Sequence, residues 1–389
     1  MKPVYADHAA TTRPAPEVVA AMLPWLGGGF ANPSSVHSRG EAARDAIEGA
    51  RTEVARLLGA HSEEIVFTAT GSESNNLALK GVMLASATRK RIVTTAIEHS
   101  SVLAAAHALE GEGFPLTVVP VCRNGMVDPG ALAAVLGDDV ALVSVMAINN
   151  ETGVLQPLED IGPLVRDCGA VFHVDAVQAP GRIAIAVDGW QADLVSVAAH
   201  KFHGVLGAAA LFVRRRTRLE PLVHGGQHER GRRAGTENVA AIVGMGVAAG
   251  QARLALSSGE PQRVSDLGER LLATLLSRVP NTTLNGDLNR RVGGTVNVCF
   301  AGVDGEAVLH ELDRAGVQVS TGSACSSAEQ GPSHVLVAMG LSPDDAHASV
   351  RFSLGTDSTA DDVVRIGEVV PPVVERLRAL REPGMEKTA

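Results

Sequence analysis

The stretch Asp193-Leu194-Val195-Ser196-Val197-Ala198-Ala199-His200-Lys201-Phe202-His203-Gly204 places a lysine directly after a short apolar run. A run of this length, rich in Val and Ala, is typical of a buried strand. Loss of hydration at the end of such a strand lowers the pKa of an amine, which can then form a Schiff base. An ordinary solvent-facing lysine at a strand end fits the same pattern, because a short motif alone does not separate the two.

A carboxylate ends another predicted strand upstream of this lysine. The stretch Val171-Phe172-His173-Val174-Asp175 is followed three residues later by Gln178. An Asp closing one strand and Lys201 closing another could face one cofactor across the same sheet edge. A Schiff-base lysine and an acidic partner for a pyridinium nitrogen are the minimum set for pyridoxal phosphate (PLP). The two strand ends together favour PLP as the cofactor.

Length and charge describe a soluble, mildly acidic globular protein. The chain has 389 residues, 45% of them hydrophobic, and a formal net charge of −9. That length is too great for one small core and predicts two domains. The net charge provides no general attraction for nucleic acid or for an anionic membrane, so neither is expected as a partner. The basic runs at 214–216 and 230–233 are interpreted as local anion sites or solvated surface.

Cysteine usage predicts a reducing, cytoplasmic location. The four cysteines are widely scattered and form no CxxC pair: Cys122, Cys168, Cys299 and Cys325. A disulfide framework is not expected in a long, cysteine-poor chain. No signal peptide is predicted at the N-terminus, since Asp7 and His8 precede any apolar run. The apolar stretch 239–250 is short and rich in Gly and Ala, so it predicts a buried helix rather than a membrane span.

Strand and helix patterns alternate through the first two thirds of the chain. Helical stretches separate the first five of seven predicted strands, which favours a mostly parallel sheet with helices on both faces. A short glycine-bearing loop joins the last two strands, so we expect an antiparallel edge strand there. The predicted strands are Glu64–Thr68, Arg91–Thr95, Leu116–Val121, Ala141–Met146, Val171–Asp175, Val195–Ala199 and Ala209–Val213.

A domain boundary is predicted at the polar stretch 257–261. A large PLP-binding domain would then span residues 15–259 and end with a long helix capped by Thr236. Residues 260–389 would form a smaller α+β domain. The N-terminal arm, residues 1–14, is assigned to this small domain.

A turn that could hold phosphate follows the first strand. The stretch 70–76 (TGSESNN) combines a glycine and small polar residues, and a helix follows it. Free backbone N–H groups and the helix dipole at such a point favour an anion. Ser72 as a plain N-cap is the alternative, and both roles can hold together. No GxxxxGK[ST] or GxGxxG motif follows the strand, which disfavours nucleotide binding.

His99 follows the strand Arg91–Thr95, near the predicted phosphate turn. Its ring could stack on an aromatic cofactor, although a lone histidine can also be structural. No HExxH motif and no paired Cys/His spacing occurs in the sequence, so no metal site is expected.

Ten short motifs, in order, resemble those of the cysteine desulfurases. These are PLP enzymes of fold type I in the class V aminotransferase group, and the similarity runs nearly end to end. The motifs are DHAATT (7–12), NPSSVH (32–37), FTATGSESNN (67–76), EH (98–99), NNETG (149–153), HVDAVQ (173–178), HK (200–201), RGRRAGTEN (230–238), TGSACSS (321–327) and VRFSLG (350–355).

The resemblance implies a role for each of twelve residues. Lys201 would bind PLP covalently, Asp175 would pair with the pyridine nitrogen, and Cys325, in the predicted small domain, would be the nucleophile. Gln178 would hydrogen-bond the ring oxygen, and His99 would stack on the ring. The phosphate would be bound by Gly71, Ser72 and His200, and by Thr236 of a partner subunit. Asn150 would contact cofactor and substrate, and the substrate would also be bound by Arg351 and Asn32.

Three positions depart from the pattern of the family. Ala198 stands where a serine is usual, which removes one hydroxyl contact to the phosphate. Val205 and Leu206 stand where relatives often carry Pro-Lys, and His228 stands where Gln is common. These changes concern the affinity for the cofactor rather than the type of reaction.

The resemblance implies a homodimeric enzyme that removes sulfur from L-cysteine, releases L-alanine and leaves a persulfide on Cys325. The sulfur would pass to an acceptor protein in iron–sulfur cluster assembly, tRNA thiolation or DNA phosphorothioation. Selenocysteine lyase or another class V aminotransferase-type enzyme is the nearest alternative. An alternative from a different functional class is a catalytically inactive, PLP-containing scaffold for sulfur-transfer partners. Only the arginine clusters support a nucleic-acid-binding role.

Overall fold

The computed structural model describes residues 3–321 and 331–381. Its strands are β1 (Val4–Tyr5), β2 (Ile65–Thr68), β3 (Arg91–Thr95), β4 (Leu116–Val119), β5 (Val140–Met146), β6 (Val171–Asp175), β7 (Leu194–Ala198), β8 (Ala209–Val213), β9 (Thr282–Leu284), β10 (Thr295–Phe300), β11 (Val317–Gln318) and β12 (Ser349–Ser353). Its α-helices are α1 (Pro16–Leu26), α2 (Ser38–Leu58), α3 (Gly71–Ala85), α4 (Ser100–Gly111), α5 (Pro129–Ala133), α6 (Leu158–Cys168), α7 (Val239–Ser257), α8 (Glu260–Arg278), α9 (Gly305–Arg314), α10 (His334–Ala338), α11 (Pro343–His347) and α12 (Ala360–Arg381).

Seven strands form one sheet in the order β2-β8-β7-β6-β5-β3-β4. The pairings among β7, β6, β5, β3 and β4 are parallel, and β8 runs antiparallel to both of its neighbours. The predicted seven-stranded, mostly parallel sheet is confirmed, as is the antiparallel direction of β8. Its predicted place at the edge is wrong, because β2 pairs with the outer side of β8, with Ile65 opposite Phe212.

Helices cover both faces of this sheet. All seven residues of β5 are buried, and five of them belong to two separate apolar clusters. Val143 and Val145 join the cluster that contains α2, α6 and α7, whereas Leu142 joins the cluster that contains α3 and α4. Strands buried on both faces read as continuous apolar runs, which is why their spans were visible in the sequence.

The helix α7 has 19 residues and is apolar enough to cross a membrane by length and composition. Ten of its residues are buried, and most of them belong to the large cluster with α2 and the sheet. A core helix passes the same test of length and composition. The prediction that the apolar stretch 239–250 lies in a buried helix is confirmed, and this helix ends at Ser257.

Two helices begin at other residues than predicted. The N-cap of α3 is Thr70, whose hydroxyl accepts from Glu73 N at 3.0 Å, and Ser72 already lies inside the helix. The N-cap of α7 is Asn238, which accepts from Ala241 N at 3.2 Å, in place of Thr236. In both cases the side chain that reaches the third helical N–H is the cap.

The C-terminal part of the chain has its own small sheets and core. β10 lies between β9 and β12, and β1 pairs in parallel with β11, with Val4 opposite Val317. A separate apolar cluster joins these strands to α8, α9 and α12, and it includes Val4 and Ala6 of the N-terminal arm. The division into an arm (1–14), a large domain (15–259) and a small domain (260–389) stays a prediction, which this distribution of buried residues supports.

Candidate active site

A cavity of about 470 Å³ lies at the carboxyl ends of β3, β5, β6 and β7. In open α/β sheets this edge is where ligands bind, because the polar groups that follow successive parallel strands meet there. Nine of the twelve predicted site residues line the cavity: Gly71, Ser72, His99, Asn150, Asp175, Gln178, His200, Lys201 and Arg351.

Lys201 lies in the short 3-10 turn that directly follows β7. Its Nζ donates to the carbonyl oxygens of Ala9 and Ala10, both at 2.7 Å. The N-terminal arm therefore forms one wall of the cavity. Gln178 reinforces this wall, since its Nε2 donates to Ala9 O at 2.9 Å.

Asp175 ends β6, and it is only 6% exposed. Its Oδ1 accepts from Val177 N at 3.0 Å, and its Oδ2 accepts from Asn75 Nδ2 at 2.8 Å. Donors from two directions hold the carboxylate in place within the cavity wall. Asn75, on the first turns of α3, was not predicted as a site residue.

The N-terminus of α3 opens into the cavity at Gly71 and Ser72. A side chain at position 71 would place its Cβ 3.0 Å from Val177 Cγ2 and 3.5 Å from the methyl group of Ala198. A glycine therefore suits this close approach between the helix end and β7. The N–H groups of a first helical turn have no partners within the helix and can bind an anion.

His200 lies beside this helix end. Burial, together with the neighbouring Lys201, lowers the pKa of His200 to about 4, so its ring is neutral at pH 7. Its Nδ1 lies 3.2 Å from the Thr11 hydroxyl. His200 can therefore contact a phosphate as a neutral hydrogen-bonding group rather than as a cation.

These residues fit PLP as a set. A lysine amine, a buried carboxylate and an anion-binding helix end line one cavity, and they match the aldehyde, the pyridine nitrogen and the phosphate of the cofactor. The glycine at position 71 keeps the helix end free of a side chain beside Val177 and Ala198.

Arg351 on β12 is 3% exposed and brings a guanidinium to the cavity. Its Nη1 donates to Asn150 O at 2.9 Å, and its Nη2 donates to Asp7 Oδ1 at 2.6 Å. These contacts use two of the five N–H groups of an arginine. Nε has no partner among residues 3–321 and 331–381.

The described residues on either side of positions 322–330 form hydrogen bonds at or beside this cavity. On one side, Ser320 exchanges two backbone hydrogen bonds with Arg351, at 2.7 and 3.2 Å. On the other side, Ser333 donates to the buried Glu151 carboxyl at 2.5 Å, and His334 Nε2 lies 2.9 Å from Glu98 O. Burial raises the pKa of Glu151 to about 7.

Two of the described site residues do not line the cavity, and a third predicted residue is not described. Cys325 lies outside the part of the chain that the structure describes. Thr236 and Asn32 are exposed and lie away from the cavity of a single chain. Their implied roles stay predictions.

Three cysteines lie in the described part of the chain. Cys122 is exposed, Cys168 is half-buried, and Cys299 is buried, which raises the pKa of its thiol to about 11. All three are free thiols. Across residues 3–321 and 331–381, no cluster of three or more His, Cys, Asp or Glu side chains is arranged to hold a metal ion.

Comparison with known proteins identifies the family. The family model described as aminotransferase class-V matches residues 4–366. The chain belongs to this family. A cysteine desulfurase named IscS from Dictyoglomus turgidum is 44% identical over 378 residues, which cover 97% of this chain and 96% of that relative.

Two solved structures share the fold over most of the chain. A NifS-like protein has a TM-score of 0.90 and 34% identity, covering 96% of this chain and 100% of that one. A structure titled SspA in complex with cysteine has a TM-score of 0.81 and 34% identity, covering 92% of this chain and 100% of that one. The predicted resemblance to the cysteine desulfurases and the predicted fold are confirmed, and PLP is the cofactor of this family.

Proposed function

We propose that this chain is a cysteine desulfurase that converts L-cysteine to L-alanine and leaves the sulfur as a persulfide on Cys325. The convergence of Lys201, Asp175 and the α3 N-terminus in one cavity carries the proposal. The relative from Dictyoglomus turgidum is named for this activity, and one solved neighbour was obtained with cysteine.

The chain's own residues divide the work of holding cofactor and substrate. Lys201 would bind the PLP aldehyde, Asp175 would pair with the pyridine nitrogen, and the α3 N-terminus with His200 would bind the phosphate. Arg351 offers its remaining N–H groups to the substrate carboxylate. Bound PLP supplies an electron sink for the charge left on the substrate carbon.

The sulfur step conserves atoms and electrons. The Cys325 thiolate attacks the substrate sulfur, so a sulfur–sulfur bond forms and the carbon–sulfur bond breaks. The electron pair of the broken bond stays with the substrate carbon, which takes up a proton to give alanine. No external oxidant or reductant enters this balance.

Chain connectivity supports Cys325 as the nucleophile. Thr321 directly follows Ser320, which is paired with Arg351 at the cavity. Cys325 is four residues further on, and four residues span at most about 14 Å. This short separation in sequence from a residue at the cavity supports Cys325 as the nucleophile.

We also propose a homodimer whose partner supplies Thr236 to the phosphate. Thr236 is exposed in the single chain, as a residue that serves a neighbouring subunit must be. Val19, Leu23 and Leu26 of α1 are 44%, 60% and 68% exposed, and Phe30 is 68% exposed. Adjacent exposed apolar residues are typical of an interface.

The proposal also includes a sulfur-acceptor protein and a cytoplasmic location. It includes no membrane partner and no direct nucleic-acid partner.

The test is mass spectrometry after brief exposure to L-cysteine, with alanine measured in parallel. Wild type should gain one sulfur on Cys325 and release alanine. Cys325→Ser should retain PLP but lose both products, because a hydroxyl is a far poorer nucleophile toward sulfur than a thiolate. Cys122→Ser is the matched control and should behave as wild type.

Two results would contradict the proposal. The added sulfur could map to Cys122, Cys168 or Cys299, or the Cys325→Ser variant could release alanine at the wild-type rate. Alanine formation only in the presence of a keto-acid acceptor would indicate a class V aminotransferase instead.

A further inference from the structure

We propose that Asn75 and Ser101 are positioning residues that hold His99 as a neutral imidazole with its proton on Nε2. A chain of hydrogen bonds runs from Asp175 through these two residues to His99. The proposal rests on the proposed function for its catalytic meaning, but the hydrogen-bond chain is a property of the protein alone.

Asp175 fixes which groups donate and which accept along this chain of hydrogen bonds. A carboxylate only accepts hydrogen bonds, so the amide nitrogen of Asn75 must face it, at 2.8 Å. The reverse orientation would set the amide oxygen against the carboxylate. The structure keeps the favourable orientation even though the buried Asn75 Oδ1 then has no partner among the described residues.

The second N–H of the Asn75 amide determines the donor and acceptor of the next hydrogen bond. Nδ2 also donates to Ser101 Oγ, at 2.9 Å. The Ser101 hydroxyl therefore accepts from Asn75, and its single hydrogen is left to donate. Its other side-chain partner within residues 3–321 and 331–381 is His99 Nδ1, at 2.8 Å.

A backbone contact reaches the same conclusion independently. The backbone N–H of Ser101 donates to His99 Nδ1 at 3.1 Å, because His99 is the N-cap of α4. A backbone nitrogen cannot accept a hydrogen bond, so Nδ1 must present its lone pair. Both contacts place the proton of the neutral ring on Nε2.

This arrangement limits what His99 can do. A second proton on Nδ1 would displace both donors from Ser101 and remove the cap of α4. It would also place a positive charge at the N-terminus of α4, where the helix dipole disfavours a cation. His99 therefore exchanges its proton with bound substrate at Nε2 alone, and Asn75 ties the orientation of its ring to the Asp175 carboxylate.

The experiment is ¹⁵N NMR of the PLP-loaded protein labelled at histidine, recorded at pH 7 without cysteine. His99→Gln identifies the His99 signals. Wild type should show Nδ1 unprotonated and Nε2 protonated. Ser101→Ala should move the His99 Nδ1 signal and lower kcat about tenfold, the loss expected from one hydrogen bond, with little change in KM. Asn75→Leu should have the same effects, because the Ser101 hydroxyl is then free to rotate.

Ser342→Ala is the matched control, since Ser342 caps α11 and contacts Asp345 away from the cavity. It should leave the His99 signals unchanged. A protonated Nδ1 in wild type would overturn the proposal, and so would His99 signals that Ser101→Ala does not move. Both readings are independent of desulfurase activity, so failure here is distinguishable from failure of the proposed function.

Discussion

At the scale of single residues, the two carbonyl oxygens at Lys201 Nζ set the position of the amine. Both oxygens, Ala9 O and Ala10 O, belong to the backbone, and the methyl side chains of these alanines give no sign of the role in the sequence. The amine is thus placed by a segment almost two hundred residues away in sequence. Access of a cofactor aldehyde to Lys201 depends on this arm.

Lys201→Ala should yield a colourless protein with no turnover of L-cysteine. The variant has no amine to bind the PLP aldehyde, whereas Asp175 and the α3 N-terminus remain. The measurement is visible absorption after dialysis against PLP, together with alanine release. Lys90→Ala, at an exposed lysine on the loop before β3, should keep both colour and activity. A yellow, active Lys201→Ala protein would refute the assignment.

Residue types predicted much of the candidate site and missed the parts that depend on geometry. Lys201 and Asp175 were identifiable because each follows an apolar strand. Asn75 and Ser101 were not, because polar residues near helix N-termini are already explained by capping. The carbonyl groups of the arm left no signal, since any residue supplies one.

At the scale of elements, strand spans were predictable and strand neighbours were not. β3, β6 and β8 begin and end at the predicted residues. The place of β2 outside β8 depends on pairing between distant segments, which local periodicity does not encode. Short elements such as β9 and α10 are held by tertiary contacts and were not predicted.

The turn 228–231 is an element held in an unusual conformation. Glu229 and Arg230 have φ values of 45° and 58°, in the left-handed region that favours glycine. Glu229 accepts from Arg51 through both carboxylate oxygens, at 2.7 and 2.9 Å, and from Phe67 N at 2.8 Å. The buried pair therefore fastens the turn to α2 and β2, shortly before Thr236.

Arg51→Met should destabilise the fold by about 3–5 kcal/mol, because it leaves the Glu229 carboxylate buried without its cation. Urea unfolding at pH 7 measures the change. Arg56→Met is the matched control on the same helix, where an exposed ion pair with Glu53 is worth at most about 1 kcal/mol. Equal losses in the two variants would show that the buried pair does not hold the turn.

At the scale of the whole molecule, the proposed dimer and the titration of buried groups give separate predictions. Thr236→Ala should lose PLP on dialysis faster than wild type, about ten- to a hundredfold in affinity, the effect of one hydrogen bond to a charged group. Ala198 provides no hydroxyl within the subunit to compensate. Thr88→Ala, an exposed threonine elsewhere, is the control. Unchanged retention of PLP, or a fully active monomer, would count against the shared site.

Five buried groups make stability depend on pH. Burial lowers the pKa of His8, His173 and His200 to about 4 in each case. Burial raises the pKa of Glu98 to about 8 and that of Glu151 to about 7. The histidines are therefore held neutral at pH 6, and the two carboxyl groups are held protonated.

Stability should be greatest near pH 6.5. Below that value the unfolded chain takes up protons that the buried histidines refuse, so the free energy of unfolding falls as the pH falls toward 4. From about pH 4.5 to pH 7 or 8, the unfolded chain releases protons that the two buried glutamic acids retain. Stability from these groups therefore falls as the pH rises, and above about pH 6.5 this fall outweighs the remaining contribution of the histidines.

Glu151→Gln should remove part of the alkaline loss. The amide oxygen still accepts from Ser333, and no charge forms at high pH, so the variant should be more stable than wild type by up to about 3 kcal/mol at pH 8.5. At pH 5 the difference should largely vanish. Urea unfolding from pH 5 to 8.5 measures both, with the exposed Glu112→Gln as control. Parallel curves for variant and wild type would contradict the assignment.

The pairing of β1 with β11 also determines the order in which parts of the protein can fold during synthesis. Val4 pairs with Val317, so 313 residues (317 − 4) separate the partners. At 5–20 residues per second, a ribosome needs roughly 15 to 60 s to make that interval. Until β11 emerges, β1 has no strand partner. The nascent chain thus completes its seven-stranded sheet well before the first strand of the arm can pair.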